Sequence, residues 1–177
     1  MKPLVIVAHP NLSASRNNRR LVEELRCHPD IYVHELYSDY PDWVIDVALE
    51  QELLLSHELI VFQFPLYWYS TPPLLKKWQD DVLTHGWAYG SKGNKLRGKE
   101  LLIATSIGGS LDVYQAGGSN HFSMSEILRP LQATANICGM TYLPAIVIDG
   151  RLDDSQLSDA ARDYAEFILN PDMKGSR

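Results

Sequence analysis

With 177 residues, 45% of them hydrophobic, the chain can bury one sizeable core but is short for two, so a single domain over 1–177 is expected. A net charge of -6 with no long basic run argues against nucleic acid as a partner, which would demand a basic face. Cys27 and Cys138 stand in neither a C-x-x-C pair nor a metal-ligand spacing and read as reduced, buried thiols with no metal site; no apolar stretch has the length of a secretory signal or a membrane span, which points to the cytoplasm.

Residues 3–8 (PLVIVA) form a short continuous apolar run, the pattern of a strand buried on both faces of a parallel sheet. After a polar turn, 17–27 (NNRRLVEELRC) sets Leu21, Val22 and Leu25 at helical spacing with charge opposite, which predicts the first helix. A second strand is expected over 31–37 (IYVHELY), then a helix opened by Asp46, with Glu50 supporting its start. The third strand is 59–64 (LIVFQF), followed by a helix that Pro72 and Pro73 can open, since proline is tolerated in a first turn. A Gly-rich excursion over 86–98 leads to a fourth strand at 101–105 and a helix at 125–137. The fifth strand is expected at 142–148 and the last helix at 159–169. This alternation implies an α/β three-layer sandwich, a five-stranded parallel sheet of order 2-1-3-4-5 with helices on both faces. Ligands of such a sheet bind at the carboxyl ends of strands one, three and four.

Three loops therefore hold the candidate site. After strand one, HPNLSASRNN offers His9, Ser13, Ser15, Asn17 and Asn18 just before a helix amino terminus, a place that attracts anions; Arg16 could add a charge-assisted contact to a diphosphate. The plain alternative is that Ser15 or Asn17 only caps the helix. The loop has no glycine, so it matches neither the dinucleotide fingerprint nor a P-loop. After strand three, Tyr67, Trp68 and Tyr69 can wall a planar ligand, or else pack beneath the loop or at a subunit contact. After strand four, Gly108 and Gly109 let backbone approach a ligand, while Tyr114 and His121 could donate hydrogen bonds to developing negative charge; His121 reads equally as a surface or capping residue.

AHP after strand one, LYSDYPDWVID over 36–46, FPLYWYSTPPLLKKWQDDVLTHGWAYG over 64–90 and the glycine pair after strand four resemble the flavodoxin-like NAD(P)H:quinone oxidoreductases, above all the bacterial ancillary flavoproteins of glutathione-regulated potassium efflux systems. The resemblance implies a flavodoxin-like homodimer that takes hydride from NAD(P)H through a flavin to a quinone-like acceptor in ping-pong fashion. It leaves FMN and FAD both open. It matches His9, Ser15, Arg16, Asn17 and Asn18 to the flavin phosphate region. Leu66, Tyr67, Trp68, Tyr69, Ser106, Ile107, Gly108 and Gly109 match the segments that hold the ring; Tyr114 falls at the family's active-site tyrosine, and His121 lies about one residue away from its catalytic histidine. Phe64 stands where the family often has His, and Ser106-Ile107 replaces its paired threonines. The alternative implied role is a regulatory subunit on the cytoplasmic side of a potassium efflux transporter, peripheral to the inner membrane.

Overall fold

The computed structural model describes residues 2–170. β1 (Leu4–Val7), β2 (Tyr32–Glu35), β3 (Leu59–Pro65), β4 (Glu100–Ser106) and β5 (Thr141–Tyr142) form a parallel sheet of order β2-β1-β3-β4-β5, and β6 (Ile146–Ile148) also pairs with β4. Register runs Val5 beside Val61 and Val61 beside Leu102; β3 and β4 end level at Pro65 and Ser106, and β1 ends two residues earlier, with Val7 beside Gln63.

Every residue of β1 and β3 is buried, as the apolar runs require, but successive side chains enter different cores. Leu4, Ile6, Ile60, Phe62, Leu101 and Ile103 pack with Leu54 of α3 (Val47–Ser56), Leu74, Leu75, Trp78 and Val82 of α4 (Pro73–Val82), and Leu131 and Ala135 of α6 (Arg129–Ile137). Val5, Val7, Val61, Leu102 and Ala104 pack with Leu21, Val22 and Leu25 of α1 (Arg16–Leu25) and with Leu157, Ala161, Tyr164 and Ile168 of α7 (Asp154–Leu169). Each face of the sheet is thus covered by helices from a different part of the chain.

The structure departs from the sequence-based elements in five places. The expected fifth strand is two short ones, because Pro144 has no N–H for the ladder. Pro130 likewise breaks the fourth helix: α5 (Met124–Ile127) ends at Leu128, and a new helix begins with proline in its first turn. The last helix starts five residues early, at Asp154, because Asp153 and Gln156 form a capping box, with Gln156 N–H on Asp153 Oδ1 at 2.9 Å and Asp153 N–H on Gln156 Oε1 at 3.0 Å. β2 is shorter than expected, and its tail curls into α2 (Leu36–Asp39). Cys27 is exposed rather than buried, whereas Cys138 is buried as expected.

Glu50 corrects the sequence reading in a different way. Asp46 alone caps α3, through Leu49 N–H, while the Glu50 carboxylate turns into the core and is fully buried. Its Oε1 meets His34 Nε2 at 2.7 Å and accepts from Tyr40 Oη–H at 2.6 Å; Oε2 accepts from Trp78 Nε1–H at 2.7 Å. His34 Nδ1 faces Asp39 at 2.9 Å. Burial pushes the Glu50 carboxyl up, but the hydrogen bond and charge of His34, with the Tyr40 and Trp78 donors, outweigh it and hold the group below the ordinary carboxylate value. The cluster pins β2 and α2 to α3 and α4.

Candidate functional site

The first loop leaves β1 at Ala8, whose N–H reaches Gln63 O in β3 at 2.8 Å. Asn11 N–H then donates to His9 Nδ1 at 3.1 Å, which makes that nitrogen an acceptor. Partial burial lowers the imidazole's affinity for a second proton. Ser15 caps α1 by accepting from Asn18 N–H at 3.2 Å. The N–H groups of Arg16 and Asn17, in the first turn ahead of that cap, donate to no acceptor among the described residues and remain available to an anion. The Arg16 side chain is committed elsewhere: its Nη2 donates to Leu152 O at 2.7 Å and to Asp154 at 2.8 Å, tying α1 to the start of α7.

In the second loop Tyr67 N–H and Ser70 N–H exchange bonds with the opposite carbonyls at 3.0 and 2.9 Å, closing a two-residue turn over Trp68 and Tyr69. Both central residues take positive φ, 47° and 61°, which such a turn demands and bulky side chains adopt at a cost. Leu66 N–H is bound to Ser106 O at 2.8 Å. Trp68 is 93% exposed, with its indole outside the turn. Tyr67 lies edge-on to the His9 ring at 6.5 Å, and Tyr69 Oη–H donates to Asn120 Oδ1 at 3.3 Å.

The third loop starts at Ser106 and the buried Ile107. A Cβ built on Gly108 or Gly109 would meet nothing within 4 Å, and neither has positive φ, so neither backbone conformation nor packing explains these glycines. They leave a bare strip of main chain facing open space, and their N–H groups have no acceptor among the described residues. Gly150 supports the strip from behind: a Cβ there would lie 2.5 Å from Ile107 O, and Gly150 N–H donates to Gly109 O at 2.9 Å. Asp149 accepts from Leu111 and Arg151 N–H at 2.9 and 2.8 Å; these bonds overcome the cost of desolvation and lower its pKa. Further along, Tyr114 is half-buried and its phenol has no partner among the described residues. His121 is exposed, at a φ of 61°.

The structure therefore gathers His9, Ser15 to Asn18, Leu66 to Tyr69 and Ser106 to Gly109 at one edge of the sheet. Their free main-chain donors, of Arg16 and Asn17 at the start of α1 and of Gly108 and Gly109 after β4, and the uncovered glycines are groups that suit a planar, phosphorylated ligand. Two of the expected contacts point elsewhere: Arg16 faces α7, and the Asn18 side chain, in a residue only 1% exposed, points into the protein. Gln63, Asn120, Asp149 and Gly150 belong to the site's framework and were not anticipated. Gln63 had a signal, as the one polar residue in an otherwise apolar strand; the other three act through contacts distant in sequence. A cleft of about 240 Å³ opens beside His9, against Glu35, Tyr37 and Ser38.

Residues 1–168 match the family described as having a flavodoxin-like fold. An NAD(P)H oxidoreductase of Bacillus subtilis, YrkL, is 58% identical over 96% of this chain and 97% of its own. The glutathione-regulated potassium-efflux system ancillary protein KefF of Salmonella schwarzengrund is 44% identical over 94% of each. Among solved structures, general stress protein 14 of Treponema denticola in complex with FMN superposes with a TM-score of 0.92 at 43% identity, covering 96% of this chain and 98% of that one. An NADPH-quinone reductase from P. pentosaceus superposes at 0.87 with 36% identity, covering 94% and 97%.

Proposed function

The chain belongs to the flavodoxin-like family of NAD(P)H oxidoreductases, and from that premise we propose that it holds FMN across its three loops and carries hydride from NAD(P)H to a quinone-like acceptor by a ping-pong route. The observation that carries the reading is the pairing, at one sheet edge, of unused N–H donors at the start of α1 with a glycine strip whose front the protein leaves empty. FMN, when bound, supplies a ring that accepts and returns two electrons with a proton. The Arg16 and Asn17 N–H groups would hold the phosphate, the Gly108 and Gly109 N–H groups would hold the edge of the ring and stabilise negative charge on it, and Tyr67, edge-on to His9, would shield it from water. Tyr114 and His121 would donate hydrogen bonds to the negative charge that develops on the flavin or the acceptor. NAD(P)H and quinone use the same face in turn, which is what ping-pong kinetics require. The engagement of Arg16 with Asp154 and Leu152 favours the monophosphate over FAD, whose diphosphate would compete for that guanidinium.

The reading takes 1–177 as one cytoplasmic domain. Among the described residues no helix is long and apolar enough to cross a membrane. Trp68, Tyr69 and Phe122, all more than half exposed, supply an apolar face beside the site for a homodimer contact. Anaerobic addition of NADH or NADPH to the FMN-loaded protein should bleach the flavin absorbance, and a quinone should restore it. An unchanged spectrum with both coenzymes defeats the proposal.

A second reading has the chain as an ancillary subunit on a potassium efflux transporter at the inner membrane. It is favoured by the likeness to KefF and by Trp43, at positive φ, and Val44, both exposed within the YPDWVID segment. Failure to bind such a transporter's cytoplasmic domain at high concentration would remove it.

A further inference from the structure

Asn18 and Gln63 are polar residues almost wholly removed from water, at the point where the three loops leave the sheet. A buried amide is costly unless its donors and acceptors are met, so the direction of each one is informative. Asn18 Nδ2–H donates to Ser106 Oγ at 2.8 Å. Gln63 Nε2–H reaches Asn18 O at 3.3 Å and Asn18 Oδ1 at 3.4 Å. Asn18 N–H is held by Ser15 Oγ, Ser106 O accepts from Leu66 N–H, and Gln63 O accepts from Ala8 N–H. One connected chain of hydrogen bonds therefore joins the start of α1, the exits of β1 and β3, and Ser106 at the end of β4, two residues before Gly108. Reversing Asn18 would set its amide donor against that of Gln63, and reversing Gln63 would set its oxygen against the two Asn18 oxygens, so the orientations follow from the network. Within this network Gln63 Oε1 is left without a donor; among the described residues Thr105 Oγ1 and Tyr164 Oη are buried in the same state elsewhere.

We infer that Asn18 is a positioning residue, which, with Gln63 and Ser106, forms an internal crossbar that sets the distance between the phosphate end and the ring end of the cofactor site. This rests on the flavin reading above and changes one part of it, because Asn18 then acts on the ligand through Ser106 and the glycine strip instead of touching the phosphate. The unmet Gln63 acceptor fits that role: a core chosen only for stability would fill this place with apolar side chains.

The test is an FMN titration of the apoprotein, followed by flavin fluorescence, for wild type, Asn18→Ser, Ser106→Ala, the double variant and Ser106→Thr, with riboflavin titrated in parallel. Each deletion of the Asn18–Ser106 bond should weaken FMN binding up to about tenfold, the worth of one hydrogen bond. The double variant should be no weaker than the worse single one, since both remove the same bond. Ser106→Thr, which keeps the hydroxyl, should restore affinity. Riboflavin, which has no phosphate end to be spaced from its ring, should lose less than FMN. Independent, multiplying losses, or a loss at Asn18 with none at Ser106, would overturn the crossbar while leaving the flavin reading intact. Wild type that binds neither flavin would overturn both. Urea midpoints of the apoproteins show whether each variant folds; Ser106→Ala, the mildest change, decides the matter if Asn18→Ser does not.

Discussion

Two buried polar clusters lie on opposite faces of the same sheet, and they differ in completeness. Around Glu50 every hydrogen-bonding atom of the carboxylate is used, by His34, Tyr40 and Trp78, and the second nitrogen of His34 meets Asp39. Around Asn18 the bonds are longer and Gln63 Oε1 is left over. The first cluster locks helices α2, α3 and α4 onto the core. The second sits beneath the carboxyl edge, where the N–H groups of Arg16, Asn17, Gly108 and Gly109 have no acceptor among the described residues. A satisfied network specifies a fold, and an incomplete one at strand ends marks where the fold has been shaped for something else.

The largest effect should come from breaking the complete cluster. Glu50→Ala leaves three buried donors unmet and should cost about 3–5 kcal/mol in urea denaturation at neutral pH. Because the folded Glu50 pKa lies below its unfolded value, its contribution is present in full above the ordinary glutamate value and is lost as pH falls through the folded one. The wild-type urea midpoint should therefore drop below about pH 4.3, with a flatter profile in Glu50→Ala. An equal slope in both would deny the cluster its electrostatic role.

The glycines sharpen the contrast at intermediate size. Gly150→Ala drives a methyl against the Ile107 carbonyl and should destabilise by about 1–3 kcal/mol. Gly108→Ala meets no protein atom, so its thermal stability should stay within about 0.5 kcal/mol of wild type while flavin retention on gel filtration falls. If Gly108→Ala retains flavin as wild type does, the strip is not a ligand face. The smallest effect is expected at Arg16→Ala: its pair with Asp154 is solvent-exposed and should be worth less than about 1 kcal/mol in the same denaturation assay.

Strands 59–64 and 101–105 were legible almost to the residue, since a strand covered on both faces must be apolar throughout. Strand 142–148 and helix 125–137 are legible as segments, and the breaks within them lie at Pro144 and Pro130, which lack the N–H a continuous element needs. The three loops were located correctly from strand order alone. Side-chain direction within them was less accessible. Asn18 read as an outward donor beside a helix start, and Glu50 as a helix-start carboxylate, yet both turn inward to partners 88 and 16 residues away.

By itself the sequence determined the alternation of strands and helices and the order of the sheet, because apolar periodicity and crossover handedness are properties of local pattern and chain geometry. Tertiary structure alone decided which polar side chains at the carboxyl edge of the sheet turn inward. A buried amide or carboxylate takes its direction from the nearest atom able to satisfy it, and for Asn18, Gln63 and Glu50 those atoms are brought near only when distant segments pack.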